Sequence, residues 1–193
     1  MKKKYKITFN SPVVLSFVFI CFVAMVLNYL TAGASNRAVF MTYHSSLASP
    51  MTYVRLFTHV LGHADWEHFI GNMMYILLLG PMLEEKYGSA RVLEVIVGTA
   101  FVTGIVNYVF FWNVALCGAS GVCFAFILLS SFTKFREGEI PLTVILVAAI
   151  FLGQQIYEGI TLDDNVSNMA HIIGGIVGGM LGISLNKKSK YGY

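Results

Sequence analysis

A serine with small neighbours stands at the head of one of the long apolar runs in this sequence. Ser120 lies in the middle of the stretch Cys-Gly-Ala-Ser-Gly-Val-Cys, residues 117–123. Small residues are typical of tightly packed helices, and they also suit a nucleophile held where two backbones approach closely. A serine hydroxyl is a weak nucleophile until a base accepts its proton, so the choice depends on whether a histidine lies near Ser120.

His171 is the candidate base, and the glycines that follow it indicate how it would reach the serine. They form two stripes at four-residue spacing, Gly174 with Gly178 and Gly175 with Gly179. Another helix backbone can approach closely along such stripes. We expect His171 to continue the second stripe by one helical turn and to face the helix packed there.

The helix that begins near Ser120 is the natural partner for those glycines, because Gly118, Ala119 and Gly121 leave its end equally flat. Close packing of the two surfaces would bring the Ser120 hydroxyl within hydrogen-bond reach of the His171 imidazole. The apolar run around His171 holds no Asp or Glu to orient the ring. The sequence therefore predicts a Ser-His dyad rather than a triad.

His68 and Asn72 are candidates for the donors that stabilise a developing oxyanion. They lie four residues apart at the start of another apolar run, so on a helix they share one face. Such a pair is more often a structural hydrogen-bonding pair between helices, and that alternative stays open. The backbone N–H of Ser120 would add a further donor to the same site.

The composition indicates a helical membrane protein. The chain has 193 residues, of which 56% are hydrophobic and only 12% are charged, and its apolar runs are long enough to cross a bilayer. We predict an all-α polytopic membrane protein that forms a single domain over residues 1–193. Its long first loop would cover residues 32–67 and a cap loop residues 161–168. The six predicted spans are residues 12–31, 68–83, 92–112, 116–135, 140–157 and 169–185.

The basic residues agree with six spans. All but Arg37 and Arg55 of the thirteen lysines and arginines fall on one side of that arrangement. The positive-inside rule assigns this side to the cytoplasm, so both termini would be cytoplasmic. Spans two, four and six then begin at the outer face, which brings the polar candidates to one depth. A cleaved signal peptide is the competing reading of the first run, and its length favours a retained span.

The remaining histidines and the cysteines predict no metal or cofactor. His59, His63 and Glu67 lie close to His68, but the His-Glu-x-x-His zinc motif is absent from the sequence. Cys117 and the other two cysteines, Cys21 and Cys123, lack metal-ligand spacing and are read as small apolar filler. The basic residues cluster at span ends, so they give no indication of nucleic-acid binding.

These elements together resemble the rhomboid family of intramembrane serine proteases. The match covers most of the chain from Arg55 onward and rests on four elements in the right order. They are Arg55 in the first loop, His68-x-x-x-Asn72, Gly118-Ala119-Ser120-Gly121, and Ala170-His171-x-x-Gly174-x-x-x-Gly178. Two departures concern packing or loop anchoring: Val54 precedes Arg55 where the family often has Trp, and residues 84–86 read Glu-Glu-Lys where it often has Glu-x-Arg.

The resemblance implies a six-helix rhomboid bundle with Ser120 as nucleophile and His171 as general base. His68 and Asn72, with the backbone at Ala119 and Ser120, would form the oxyanion hole. Span five would be a lateral gate for substrate, and the cap loop would cover the site. The implied activity is hydrolysis of peptide bonds in or near transmembrane segments of single-pass or polytopic membrane proteins, without a cofactor.

The expected location is a bacterial cell membrane, with the site opening to the outer side. Two alternatives remain at this stage. A catalytically inactive rhomboid relative that binds membrane proteins would usually lack the serine or the histidine. A small transporter would be expected to show charged residues at the bilayer midplane or inverted repeats.

Overall fold

The computed structural model describes residues 7–132, 142–161, 171–180 and 184. The helices are α1 (Pro12–Leu30), α2 (Pro50–Thr58), α3 (Trp66–Tyr87), α4 (Ser89–Phe110), α5 (Ser120–Ser131), α6 (Leu142–Thr161) and α7 (His171–Met180). Two single turns, a π-helical turn at Asn36–Phe40 and a 3-10 turn at His59–Leu61, lie between α1 and α3. The helices are those expected of an all-α protein.

The helix ends differ from the predicted span ends by a few residues. The differences reach four residues at the ends of α3 and α6 and at the start of α5, which begins at Ser120 rather than at the predicted residue 116. The preceding residues are held in extended backbone, because Leu116 and Thr42 exchange two backbone hydrogen bonds of 2.9 Å. The Gly118 N–H then donates to the His59 carbonyl at 2.9 Å. The predicted cap loop lies outside the described residues, apart from Thr161.

α1 packs against α3, and one carboxylate fixes its first turn. Ser11 provides no side-chain cap, so the N–H groups of Val13 and Val14 need other acceptors. The two Glu84 carboxylate oxygens accept from these N–H groups, each at 3.0 Å. The Ser89 hydroxyl donates to the same carboxylate at 2.6 Å. Glu84, at the end of α3, therefore caps a helix that begins seventy residues earlier in the sequence.

Glycines allow the helix backbones to approach closely at two places in this part of the bundle. A Cβ on Gly80 of α3 would lie 2.7 Å from a Val14 methyl group. A Cβ on Gly104 of α4 would lie 2.5 Å from the Leu56 carbonyl oxygen of α2. Side chains larger than hydrogen would push the helices apart, so these glycines set the spacing of α1, α2, α3 and α4.

The core is apolar, and many large apolar side chains also remain on the outside. Fully buried residues of α3 and α5, among them Ile76, Leu83 and Phe126, pack together in one cluster. Phe19, Leu78 and Phe110 are more than half exposed. By length and composition, α1 and α4 are each able to cross a bilayer.

Candidate active site

One cavity brings together the four side chains that the sequence analysis selected. It has a volume of about 670 Å³ and is lined by Ser120, His171, His68 and Asn72. Its other walls come from α3, α5, α6 and the segment before α5. The remaining lining residues are Asp65, Tyr75, Leu116, Cys117, Cys123, Phe124, Ile127, Val147 and Ile150.

Ser120 is the first residue of α5, and the backbone before it turns sharply. Gly118 has φ of 132°, a conformation that residues with a Cβ rarely adopt. Ala119 then serves as the N-cap of the helix. The N–H groups of a first helical turn have no acceptor within the helix, and the positive end of the helix dipole lies there. The half-buried Ser120 side chain thus projects into the cavity from a place suited to negative charge.

α7 packs along α5 with almost no side chains between the two backbones. A Cβ on Gly174 would lie 2.2 Å from the Gly121 carbonyl oxygen, and a Cβ on Gly178 would lie 2.3 Å from the Ala125 carbonyl oxygen. Both contacts advance by four residues, so the two helices run parallel. The partnership expected from the sequence is confirmed.

Gly174 and Gly178 touch α5, whereas we expected His171 to continue the stripe of Gly175 and Gly179. Gly174 and Gly178 make the closest approaches, whereas a Cβ on Gly179 would meet only Leu128 at an ordinary 3.9 Å. Residues 171, 174 and 178 share one face of a helix, so His171 continues the contacting stripe. Gly175 is buried.

The ring of His171 lies on the face of α5 that carries Ser120. Its centroid is 4.6 Å from that of the Phe124 ring. Phe124 follows Ser120 by four residues, so the two side chains are neighbours one turn apart on α5. The packing of α7 thus brings the imidazole to the face of α5 that carries Ser120, near the start of that helix.

His68 contacts the backbone of the turn before Ser120. A Cβ on Gly118 would lie 2.6 Å and 2.7 Å from two atoms of the His68 ring, so only glycine leaves room for the imidazole. His68 also lies edge-on to His63, with ring centroids 5.2 Å apart. The Asp65 carboxylate accepts from the His68 backbone N–H at 2.8 Å and caps α3.

Asn72 presents a hydrogen-bond donor toward the same turn. Its side chain is buried, and its Nδ2 has no hydrogen-bond partner among the described residues. Nδ2 would be 3.8 Å from a Cβ on Gly118, two residues before Ser120. The Cys123 thiol donates to Oδ1 at a sulfur–oxygen distance of 3.6 Å. An unsatisfied buried donor is costly to maintain, which suits a group reserved for an oxygen of the substrate.

His59 and His63 are buried and lie between α2 and α3 in the chain. The ring nitrogens of His59 contact the Arg55 carbonyl and the Thr103 hydroxyl, both at 3.2 Å. His63 contacts the Leu61 carbonyl through Nδ1 at 3.3 Å. Burial lowers the pKa of each to about 4, so both rings are neutral at pH 7.

Sequence reasoning missed the roles of Cys123, Phe124 and Glu84. Cys123 was read as filler, although its position three residues after Ser120 places it on the same side of α5. Phe124 lies four residues after Ser120 and so on the same face of α5. That spacing could have predicted a contact between Phe124 and His171, because His171 was expected to lie near Ser120. No group of His, Cys, Asp and Glu side chains suited to a metal ion occurs in the parts of the chain that the structure describes.

Taken together, these features define an all-helical protein with a serine, two histidines and an asparagine around one cavity. The family model described as the Rhomboid domain matches residues 50–188 of this chain. The chain therefore belongs to the rhomboid family, whose members are integral membrane proteins and include proteases.

Relatives from distant organisms share this similarity. The chain is 29% identical over 160 residues to Rhomboid-related protein 2 of Mus musculus, covering 72% of this chain and 53% of the relative. It is 30% identical over 132 residues to the Putative rhomboid protease YdcA of Bacillus subtilis, which covers 66% of this chain and 64% of the relative. It is 29% identical over 144 residues to the Rhomboid protease GlpG of Haemophilus influenzae, which covers 70% of this chain and 72% of the relative. The chain spans about half or less of the mouse relative and of RHOMBOID-like protein 1 from Arabidopsis thaliana, at 53% and 36%.

Proposed function

We propose that this protein is an intramembrane serine endopeptidase that cleaves peptide bonds in or near the transmembrane segments of other membrane proteins. The observation that carries the proposal is that Ser120, His171, His68 and Asn72 line one cavity. Membership of a family that includes the protease of Haemophilus influenzae named above supports the same activity.

The first step is attack by Ser120 on the scissile carbonyl. The Ser120 oxygen forms a bond to the carbonyl carbon while the His171 imidazole takes the hydroxyl proton. The electron pair of the carbonyl moves to its oxygen, which becomes an oxyanion. Asn72 Nδ2, the His68 ring and the backbone N–H groups at Ala119 and Ser120 are the donors that would stabilise this charge. One such donor is typically worth about 3–4 kcal/mol of barrier.

The second half of the reaction releases both products. The bond between carbonyl carbon and nitrogen breaks, and His171 returns its proton to the leaving amine. Water, deprotonated by the same imidazole, then attacks the acyl ester. The bond between the carbonyl carbon and the Ser120 oxygen breaks, and the imidazolium returns its proton to that oxygen. Water and an unwound stretch of substrate must both reach Ser120, and a cavity of about 670 Å³ has room for a short peptide segment.

The substrate class follows from the walls of the cavity. Phe124, Ile127, Val147 and Ile150 make much of the lining apolar, which suits residues of a transmembrane helix. The side chains of Val147 and Ile150 belong to α6, so this helix would form the side of the cavity through which the substrate enters. We place the protein in a bacterial cell membrane, with both termini cytoplasmic and the cavity opening outward, in line with the distribution of its basic residues.

The proposal is tested with purified protein in liposomes and a substrate that contains one transmembrane helix. Ser120→Ala is expected to abolish cleavage, and the proposal fails if this variant cleaves as fast as the parent. A fluorophosphonate probe should label Ser120 in the parent and not in His171→Ala. A parent protein that neither cleaves nor takes the label, yet binds the helix, would instead be an inactive binding relative.

A further inference from the structure

The Cys123 thiol contacts both oxygen atoms of Asn72 that are able to accept a hydrogen bond. Its sulfur lies 3.5 Å from the Asn72 backbone carbonyl oxygen and 3.6 Å from Oδ1 of the side chain. Both residues are buried, with exposed fractions of 2% for Cys123 and 7% for Asn72. Weak donors count for more in such surroundings, because water does not compete for the acceptor.

The contact matters because the two ends of an asparagine amide have opposite chemistry. Oδ1 accepts hydrogen bonds and Nδ2 donates them, so a half-turn of the amide would exchange the two. With Oδ1 on Cys123, Nδ2 is the end left without a partner in the described structure. Were Oδ1 turned toward the cavity instead, it would repel an oxyanion rather than stabilise it.

Cys123 also connects the helix of the nucleophile to the helix of the oxyanion donor. It follows Ser120 by three residues on α5, while Asn72 belongs to α3. A hydrogen bond between them fixes the position of the donor relative to the serine. Transition-state stabilisation is sensitive to such positions, because donors must lie about 3 Å from the developing oxyanion.

We infer that Cys123 is a positioning residue, whose thiol orients the Asn72 amide so that Nδ2 faces the oxyanion of the reaction. The inference rests on the proposed function and deepens it, because it gives Cys123 a role that acts on the reaction through Asn72. The same thiol would thereby set the alignment of α3 and α5 across the cavity.

The test compares two substitutions at one position. Cys123→Ala removes the donor and is expected to lower kcat about 3- to 10-fold with KM unchanged, the size expected for one hydrogen bond. Cys123→Ser keeps a hydroxyl donor of similar size and should stay within about twofold of the parent. Active sites are counted by fluorophosphonate labelling, so a smaller folded fraction is not mistaken for a lower kcat.

A double-mutant cycle separates positioning from packing. In an Asn72→Ala background, Cys123→Ala should have no further effect on kcat, since no amide is left to orient. Cys21→Ala is the matched control: this thiol is also buried, its sulfur lies 3.9 Å from the Val60 carbonyl oxygen, and Cys21 does not line the cavity. We expect its kcat to equal that of the parent.

The outcomes distinguish this inference from the proposed function. Cleavage by Ser120→Ala at the parental rate would overturn the proposed function, whatever Cys123 does. If Ser120→Ala is inactive, three results would overturn the inference alone: a parental kcat in Cys123→Ala, an equal loss in Cys123→Ser, or a loss that persists in the Asn72→Ala background.

Discussion

The polar side chains at the two ends of α3 differ in how many hydrogen-bond partners they have. At the end of the helix, the Glu84 carboxylate accepts three hydrogen bonds from Val13, Val14 and Ser89. Near the start, Asn72 keeps a buried Nδ2 without a partner among the described residues. A satisfied buried group stabilises a fold, whereas an unsatisfied one costs free energy and remains available to a ligand. One helix thus has a fully hydrogen-bonded carboxylate near its end and, near its start, a buried amide group that is available to a ligand.

Asn72→Ala should give the largest effect on activity at the cavity end. If Nδ2 stabilises the oxyanion, its loss should lower kcat by about 10²- to 10³-fold. The free energy of unfolding should fall by about 1 kcal/mol, because Nδ2 makes no hydrogen bond within the described structure and Oδ1 loses a weak one from the Cys123 thiol. Steady-state kinetics and thermal unfolding of the same preparation measure the two quantities. A variant that keeps parental kcat would show that the unpartnered amide has no part in the reaction.

Gly174→Ala tests whether the cavity depends on the close approach of α7 to α5. The added methyl group would lie 2.2 Å from the Gly121 carbonyl oxygen, so the helices must separate. A displacement of about 1 Å is enough to lower kcat by about 10²-fold. Gly98→Ala is the control, because a Cβ there meets nothing within 4 Å. The control should keep its activity and gain slightly in helix stability; equal losses in both variants would contradict the prediction.

Glu84→Gln tests the opposite end of α3 and should act on stability. The charged acceptor of two helix N–H groups is lost, which we expect to lower the free energy of unfolding by about 2–3 kcal/mol. The kcat per labelled active site should stay near that of the parent. Glu94→Gln is the matched control, since Glu94 pairs with Arg91 on an exposed surface and should change stability by about 0.5 kcal/mol or less. Equal changes in the free energy of unfolding for Glu84→Gln and Glu94→Gln would show that the Glu84 carboxylate does not stabilise the fold more than a surface carboxylate does.

Acid should lower the stability of the fold through the buried histidines His59 and His63. The folded-state pKa values of His59 and His63 are about 4, below the 6.5 of an unfolded chain, so the unfolded state binds more protons between these values. The stability is therefore fully present above pH 6.5 and is lost as the pH falls toward 4. The slope should approach about 1.4 kcal/mol per pH unit for each histidine.

Unfolding in denaturant at a series of pH values measures that slope. His63→Gln should reduce the slope by up to about 1.4 kcal/mol per pH unit, because the glutamine amide does not titrate in this range. An unchanged slope in this variant would mean that His63 is not the group that titrates.

The sequence predicted the residues of the site more completely than their arrangement. Four-residue spacing was enough to place His68 and Asn72 on one helix face, and both line the cavity. The helix was expected to begin near Leu116, but the bridge to Thr42 holds that residue in extended backbone. Such a contact joins residues far apart in the chain, so local propensity gives no sign of it.

The partners of Glu84 and Cys123 were beyond the reach of sequence reasoning for the same reason. Glu84 appeared only as part of a departure from a family motif, and its acceptor role depends on α1, seventy residues away. Cys123 was taken for filler because a thiol packs well in any apolar helix. Its direction toward Asn72 is set by how α3 and α5 pack.

The sequence by itself determined the family, the helical class and the residue types available for chemistry, because hydrophobic runs, glycine spacing and polar residues within apolar segments are local properties of the chain. Tertiary structure alone decided which glycines make the helix contact, which face of α5 the His171 ring occupies, and which end of the Asn72 amide has no partner among the described residues. These features depend on distances between separate helices, and such distances are set by packing of side chains that the linear order does not bring together.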